Sequence, residues 1–482
     1  MSKKTYIKFI KIFIVLSPLP FGCVGKVYLP LFYLSLLFLS FAGMCCEKES
    51  ETEPNALLSP AIAYGREIRL FLFIFLSFLL FQIIPFPRFL ISIISPETLK
   101  ISDSLTSSPA RFLSISLVPV ETVFFTIRFI SILIFFLVFL KIRFNKIELI
   151  SLIRVIIYTV SFQSLFGLIK YSLKSNNFFI FFHKMKDGAS HGFLTGTIGN
   201  PDHFAFYIEM TIPLLIAFIF YDIGFFESGK NLREKLISAF NQDRRIIINF
   251  VLLGIIFVSL LLTGSRSGIV TSIISLLIFS LLSIYLKRSR SIRKKIKYIF
   301  IAIAIIAVFL GIKNTTDKFM KTSFASSGRF LRWPNSLKIV SDFPVFGSGF
   351  GTYKYTFYLY DTDPSGVWST HAHNEYIEGL TEGGVLGSLS LFLLLGAIIF
   401  SIARMWRNRR HPGIRILGIG ILTSLFTVMF HSFFDFSLRI PSNLLIFSLI
   451  MLIGIKLVTY KKDFTNSGSV MKPSAYSKRR FK

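Results

Sequence analysis

The chain has few of the residues that staple or neutralise a soluble fold. It contains three cysteines in 482 residues, at positions 23, 45 and 46. That count excludes a disulfide scaffold: adjacent Cys45 and Cys46 would be strained as a bridge, and no spacing reads as a redox or metal motif. Acidic residues are scarce as well, with 25 Asp and Glu against 54 Lys and Arg and a formal charge of +29. Histidine occurs seven times and tryptophan three, so a histidine beside other polar residues stands out.

Apolar residues are abundant. They make up 53% of the chain, phenylalanine alone occurs 57 times, and the mean hydropathy is +0.65. Such a composition excludes an ordinary soluble protein. The apolar residues fall in blocks, for example 70–85, 122–140, 250–262, 269–286 and 389–402, which approach or reach the roughly 20 residues a helix needs to cross a bilayer. About twelve spans are expected, near 8–22, 27–45, 68–85, 122–142, 149–172, 203–224, 246–262, 267–286, 297–312, 384–404, 414–432 and 440–459. Each must be helical, because lipid offers the backbone no hydrogen-bond partner. The fold class expected is therefore an all-α polytopic membrane protein. The first span follows Met1-Ser2-Lys3-Lys4 without a small-residue cleavage site and reads as an uncleaved helix.

The placement of the positive charge argues against nucleic acid. Basic clusters recur in alternate loops: Lys3/Lys4, Arg66/Arg69, Lys141/Arg143/Lys146, Lys230 to Arg245, Lys287 to Lys297, Arg404 to Arg415, and from Lys461 to the end. This is the positive-inside pattern. It puts both termini in the cytoplasm and residues 313–381 outside. The expected organisation is nine spans over 1–312, an external loop domain over 313–381, three spans over 382–460, and a basic cytoplasmic tail over 461–482. The external loop, at roughly 70 residues, is too long to lack structure of its own. Residues 329–342 have helical content, 344–353 are glycine-rich, and a helix is expected from His373 towards the tenth span.

Several polar groups stand near external ends of spans. In Thr263-Gly264-Ser265-Arg266-Ser267-Gly268, glycine and serine allow a tight turn that directs N–H groups and a guanidinium at an anion such as a diphosphate. The same arginine also fits an interfacial anchor on phospholipid headgroups. Arg329 and Arg332 beside Trp333 suit either a glycan or anion contact or an aromatic-belt anchor. In His371-Ala372-His373-Asn374-Glu375-Tyr376-Ile377-Glu378, a neutral imidazole can act as general base, with Asn374 capping a helix. A metal site would need Glu375 or Glu378 as a further ligand, and purely structural histidines are the third reading. Asp361-Thr362-Asp363 has the form of a nucleotide-metal motif, but Pro364-Ser365-Gly366 after it favours an exposed turn. His431 and Asp435 are spaced one helical turn apart, as a catalytic or packing pair.

Taken in order, these segments resemble the O-antigen ligase and polymerase family. The resemblance rests on Gly196-Thr197-Ile198-Gly199-Asn200-Pro201-Asp202-His203-Phe204-Ala205, the 262–268 turn, Arg329 with Trp333, Gly347-Ser348-Gly349-Phe350-Gly351-Thr352, and His371 to Glu378 with Gly383-Gly384-Val385-Leu386-Gly387, and it extends to Pro18 to Gly25, Gln82 to Pro87 and His431 to Asn443. It implies a GT-C-like helical bundle with a large, partly helical periplasmic loop in the bacterial inner membrane. It implies transfer of a glycan from undecaprenyl diphosphate to an acceptor hydroxyl, such as lipid A-core, without a metal or other cofactor. Carried over by residue, His373 is the expected base with His371 as its alternate. Arg266, Arg329 and Arg332 with Ser265 are the expected diphosphate or glycan contacts, and Asn374, Glu378, His431 and Asp435 the supporting groups. Where many members have an arginine before the Gly-x-x-Gly-Asn-Pro segment, this chain has His191, which is expected to substitute. A polymerase or a protein O-oligosaccharyltransferase would use the same donor. A flippase, the non-enzyme reading, would instead concentrate ionisable residues at mid-membrane, where Arg154 and Glu209 are the main examples.

Overall fold

Long apolar runs become helices in the computed structural model, which describes residues 1–46, 65–173, 192–223, 244–283, 328–362 and 369–459. Three helices come first: α1 (Lys3–Leu16), α2 (Tyr28–Met44) and α3 (Gly65–Ile83). The two-residue strands β1 (Phe86–Pro87) and β2 (Phe112–Leu113) pair antiparallel around α4 (Arg88–Ile94) and α5 (Pro96–Leu105). Then follow α6 (Pro119–Lys141), α7 (Lys146–Ser172), α8 (Pro201–Glu209), α9 (Ile212–Asp222), α10 (Arg244–Leu262) and α11 (Arg266–Ser283). The last group is α12 (Gly328–Asp342), α13 (Tyr353–Tyr360), α14 (Glu375–Arg407), α15 (Pro412–His431) and α16 (Pro441–Thr459).

Among the described residues, 8 helices are long and apolar enough to cross a membrane, counting α8 and α9 as one. The protein is thus a polytopic helical membrane protein. Three of the other expected spans correspond to α1 and α2, which have 14 and 17 residues, and to α3, whose first turn carries Arg66, Glu67 and Arg69. The span expected at 297–312, the tail over 461–482 and the 361–363 motif's last residue lie outside the described residues. The span expected at 203–224 is two helices, broken at Met210 and Thr211. Pro213 explains the break, since it has no N–H to offer the Glu209 carbonyl.

Helices α16 and α8–α9 are buried nearly throughout and form the centre of the bundle. Helix α15 packs against α9, α11 and α16. Its contact with α9 is close because Gly420 lacks a side chain: a Cβ there would lie 2.6 Å from the Ala217 Cβ. Thr427 Oγ1 donates to Ser275 Oγ at 2.8 Å and ties α15 to α11.

Contacts sort the loops to two ends of the bundle. At one end Lys3 pairs with Glu148 at 3.3 Å, Lys456 Nζ donates to the Ile142 carbonyl at 2.8 Å, and Arg409 donates to the Val458 carbonyl. The Asn145–Glu148 capping box starts α7 there. At the opposite end α12, α13 and the segment before α14 enclose a small core of Ile339, Phe343, Tyr353, Phe357 and Ala372, with Ile101 of α5 against it. Phe350 plugs this layer into the bundle, its ring 5.5 Å from Phe75 and 4.9 Å from Phe125. Gln82 of α3 fastens the same turn, donating to the carbonyls of Phe346 (2.7 Å) and Glu382 (2.9 Å) and accepting from the Phe350 N–H (3.1 Å).

The glycines of this turn are conformationally required. Gly347 has φ +68°, and a Cβ on it would come within 2.3 Å of the Glu382 carbonyl oxygen. Gly347→Ala is therefore expected to cost about 2 to 3 kcal/mol, read as a lower midpoint of thermal unfolding in detergent. Gly25→Ala is the comparison, since φ there is +112° but nothing lies within 4 Å. It should lose clearly less, and equal losses would mean that crowding against α14 is unimportant.

Candidate active site

The start of α14 organises the outer layer. Asn374 caps it, accepting from the N–H groups of Tyr376 (3.0 Å) and Ile377 (3.1 Å). Just before the cap, His373 has φ +51°, in the left-handed region that a side chain enters at a cost of about 1 kcal/mol or more. The strain is held by its neighbours. Trp333 Nε1 donates to the Ala372 carbonyl at 3.1 Å, and the Ala372 N–H donates to Glu378 Oε2 at 2.9 Å.

Each histidine is thereby turned onto its own carboxylate. His371 Nδ1 lies 2.8 Å from Glu378 Oε1 and His373 Nδ1 lies 3.0 Å from Asp435 Oδ1. Their side chains are 26% and 24% exposed, whereas Glu378 and Asp435 are buried. A carboxylate on Nδ1 favours the tautomer with its proton there, which leaves Nε2 as the free base. The two rings thus face different anions rather than converging as metal ligands. Phe436 fills the space between them, stacked on His371 with ring centroids 3.9 Å apart and edge-on to His373 at 4.8 Å.

Asp435 does not pair with His431, contrary to the expectation from their spacing. Helix α15 ends at His431, so four further residues do not return the chain to the same helix face. Asp435 instead meets His203 Nε2 at 3.4 Å and accepts from the Ser437 hydroxyl. His431 Nδ1 lies 2.6 Å from Glu209 Oε1 at the end of α8, with both side chains fully buried.

Arg439, next to the start of α16, was not among the residues that motif reasoning selected. Its guanidinium meets Glu382 Oε2 at 2.9 Å, Glu378 Oε1 at 3.1 Å and Glu375 Oε2 at 3.3 Å. These acids are spaced three and four residues apart on α14, hence on one face. Burial opposes the charge on Arg439, but Glu378, Glu382 and Glu375 outweigh it and hold its pKa well above the ordinary arginine range. The available sequence signal was the acidic stripe itself, since three carboxylates entering a membrane helix require a cation. His203 lies in the Gly196-to-Ala205 segment of the resemblance and Glu209 stood out as an intramembrane acid, but neither was assigned a role at the site.

The expected anion-binding turn has its own internal order. Ser265 accepts from the Gly268 N–H at 3.2 Å, so its buried hydroxyl caps α11 and Arg266 is the first residue of that helix. Gly264 adopts φ +62°, and Gly268 sits against Ala205 of α8. Because Gly268 packs on Ala205, two residues from the His203 that faces Asp435, the turn lies against the same part of α8 as Asp435. Arg332 is half-buried on α12, beside the Trp333 that holds Ala372. Arg329 starts the same helix, with its side chain outside the described set, and His191 lies outside the described residues.

Residues 250–392 match the family model described as O-antigen ligase. The chain carries an O-antigen ligase-family domain. It runs from α10 into α14 and includes Arg266, Arg332, His371, His373, Asn374, Glu375, Glu378 and Glu382. The O-antigen ligase match stops short of Asp435, Arg439, His203 and Glu209, so the histidines and acids inside it are completed by groups on α8 and after α15. For residues 250–392 the match implies glycosyltransferase-like chemistry, with a lipid-linked glycan and an acceptor as partners in general terms. No curated protein matches the chain.

Proposed function

We propose that the protein is a ligase-type glycosyltransferase that moves a glycan from undecaprenyl diphosphate to an acceptor hydroxyl, lipid A-core, at the outer face of the inner membrane. The observation that carries this reading is the partly exposed His373 with Nδ1 on buried Asp435. Its Nε2 removes the acceptor proton as the acceptor oxygen bonds to the anomeric carbon. The bond from that carbon to the diphosphate oxygen breaks at the same centre, which inverts its configuration. The diphosphate leaves with its charge on the guanidinium groups of Arg266, Arg329 and Arg332, whose paired donors suit adjacent phosphate oxygens. His191 and Ser265 are assigned to the same anion contacts by resemblance, and His371 is the alternate base. The distribution of basic loops supports the sidedness, because the bundle end opposite them carries the His371–Glu378 and His373–Asp435 pairs.

The acceptor separates a ligase from a polymerase, and gene deletion reads it. A ligase predicts that the deletion strain keeps full-length polymer on its lipid carrier and has bare lipid A-core. Single repeat units on lipid A-core would instead identify a polymerase and overturn the ligase assignment.

A further inference from the structure

We propose that His203 is a positioning residue for this transfer, sharing the Asp435 carboxylate with His373 so that His373 is aimed by Asp435 and still left free to accept a proton. The inference rests on the reading of His373 as the base. It starts from the two oxygens of Asp435: Oδ1 faces His373 Nδ1 at 3.0 Å and Oδ2 faces His203 Nε2 at 3.4 Å. Asp435 is 1% exposed and the His203 side chain 8%. The carboxylate is thus shared inside the protein rather than in water.

His203 is held there by contacts of its own. Its N–H donates to the Asn200 side chain at 3.4 Å, and its carbonyl accepts from Asn443 Nδ2 at 3.2 Å. Its ring stands edge-on to Phe436 at 4.7 Å, the same phenylalanine that both loop histidines touch. Helix α8 is clasped to the end of α15 a second time by the Glu209–His431 pair at 2.6 Å. Two contacts between the same elements set the register of His203 against Asp435.

The chemical need follows from the carboxylate. A buried anion beside an imidazole favours the imidazolium, and a base that is already protonated cannot take the acceptor proton. Oδ2 accepts from the Ser437 hydroxyl, and the His203 ring nitrogen 3.4 Å away is a second polar neighbour that draws on the same charge while leaving the geometry at Oδ1 intact. The other charged groups around this unit are Asp202 on α8, the Glu209–His431 pair, the His371–Glu378 pair, and Arg439 with Glu375 and Glu382. All of them remain when His203 alone is changed.

The test uses the full chain in nanodiscs with ring-labelled histidine, as native protein, His203→Phe and His203→Gln. Phenylalanine keeps the ring and removes the donor, whereas glutamine restores a donor near Nε2. In His203→Phe the protonation midpoint of His373, read by NMR, should rise relative to native. The acid limb of kcat against pH should move with it, measured with undecaprenyl-diphosphate oligosaccharide and lipid A-core, while KM for the donor changes less than about twofold. His203→Gln should return both towards native. Equal His373 midpoints in all three proteins, or a glutamine variant that behaves like phenylalanine, would overturn the role of His203 while leaving His373 as the base. A midpoint that moves without any matching change in the rate profile would overturn both.

Discussion

His373→Ala is expected to lower glycan transfer by about 10² to 10⁴-fold, the contribution typical of a positioned general base, while inserting and unfolding as the native protein does. The side chain is about a quarter exposed and packs only its ring edge against Phe436, so its removal leaves no large cavity. Its backbone strain, φ +51°, also remains in the variant. Asp435→Asn should lose about 10²-fold or more, because an amide can present its own N–H to Nδ1 and so favour the wrong tautomer. His371→Ala should lose less than His373→Ala, since His371 faces a different carboxylate, Glu378. Transfer assayed in proteoliposomes checks all three. Native rates in His373→Ala would remove it from the mechanism, and a larger loss in His371→Ala would exchange the two roles.

The second large effect is on stability. Arg439→Leu should destabilise the protein by about 3 to 5 kcal/mol, the cost of leaving buried charge without its partner. Glu378 and Glu382 are fully buried and Glu375 partly so, and all three lose the guanidinium together. Arg439→Lys should recover only part of the loss, because an ammonium is a point charge and cannot fork among three carboxylates. Adding Glu382→Gln to Arg439→Leu should also recover part, since one buried charge is then removed. Thermal unfolding in detergent measures each. If Arg439→Leu unfolds at the native midpoint, the acids are satisfied by something other than Arg439. The loss would reach the site indirectly, because Glu378 holds both His371 and the Ala372 N–H.

Much of the bundle was legible because its cause is local. A run of apolar residues as long as a bilayer has only one stable conformation in lipid, and Asn374 before Glu375 marks a helix start by its own chemistry. The 344–353 segment was legible as glycine-rich, although its role in carrying Phe350 into the bundle was not. Two local signals were read too simply. Pro213 interrupts a span at Glu209, and the helix ends at His431 before Asp435, so a four-residue spacing there does not make a pair. The rest depends on approach between distant segments. Arg439 lies 57 residues from Glu382, and His373 lies 62 from Asp435. His203 joins Asp435 only because α8 packs beside the end of α15. No periodicity announces such contacts, which arise from how helices of one bundle come to share an end.

The most direct test of a ligase acting through His373 is transfer by the purified chain in liposomes that contain only undecaprenyl-diphosphate glycan and lipid A-core. The native protein should move intact polymer onto lipid A-core, and the His373→Ala protein should not. Failure of the native protein to modify lipid A-core while it lengthens the glycan on its carrier, or equal transfer by both proteins, would contradict the account.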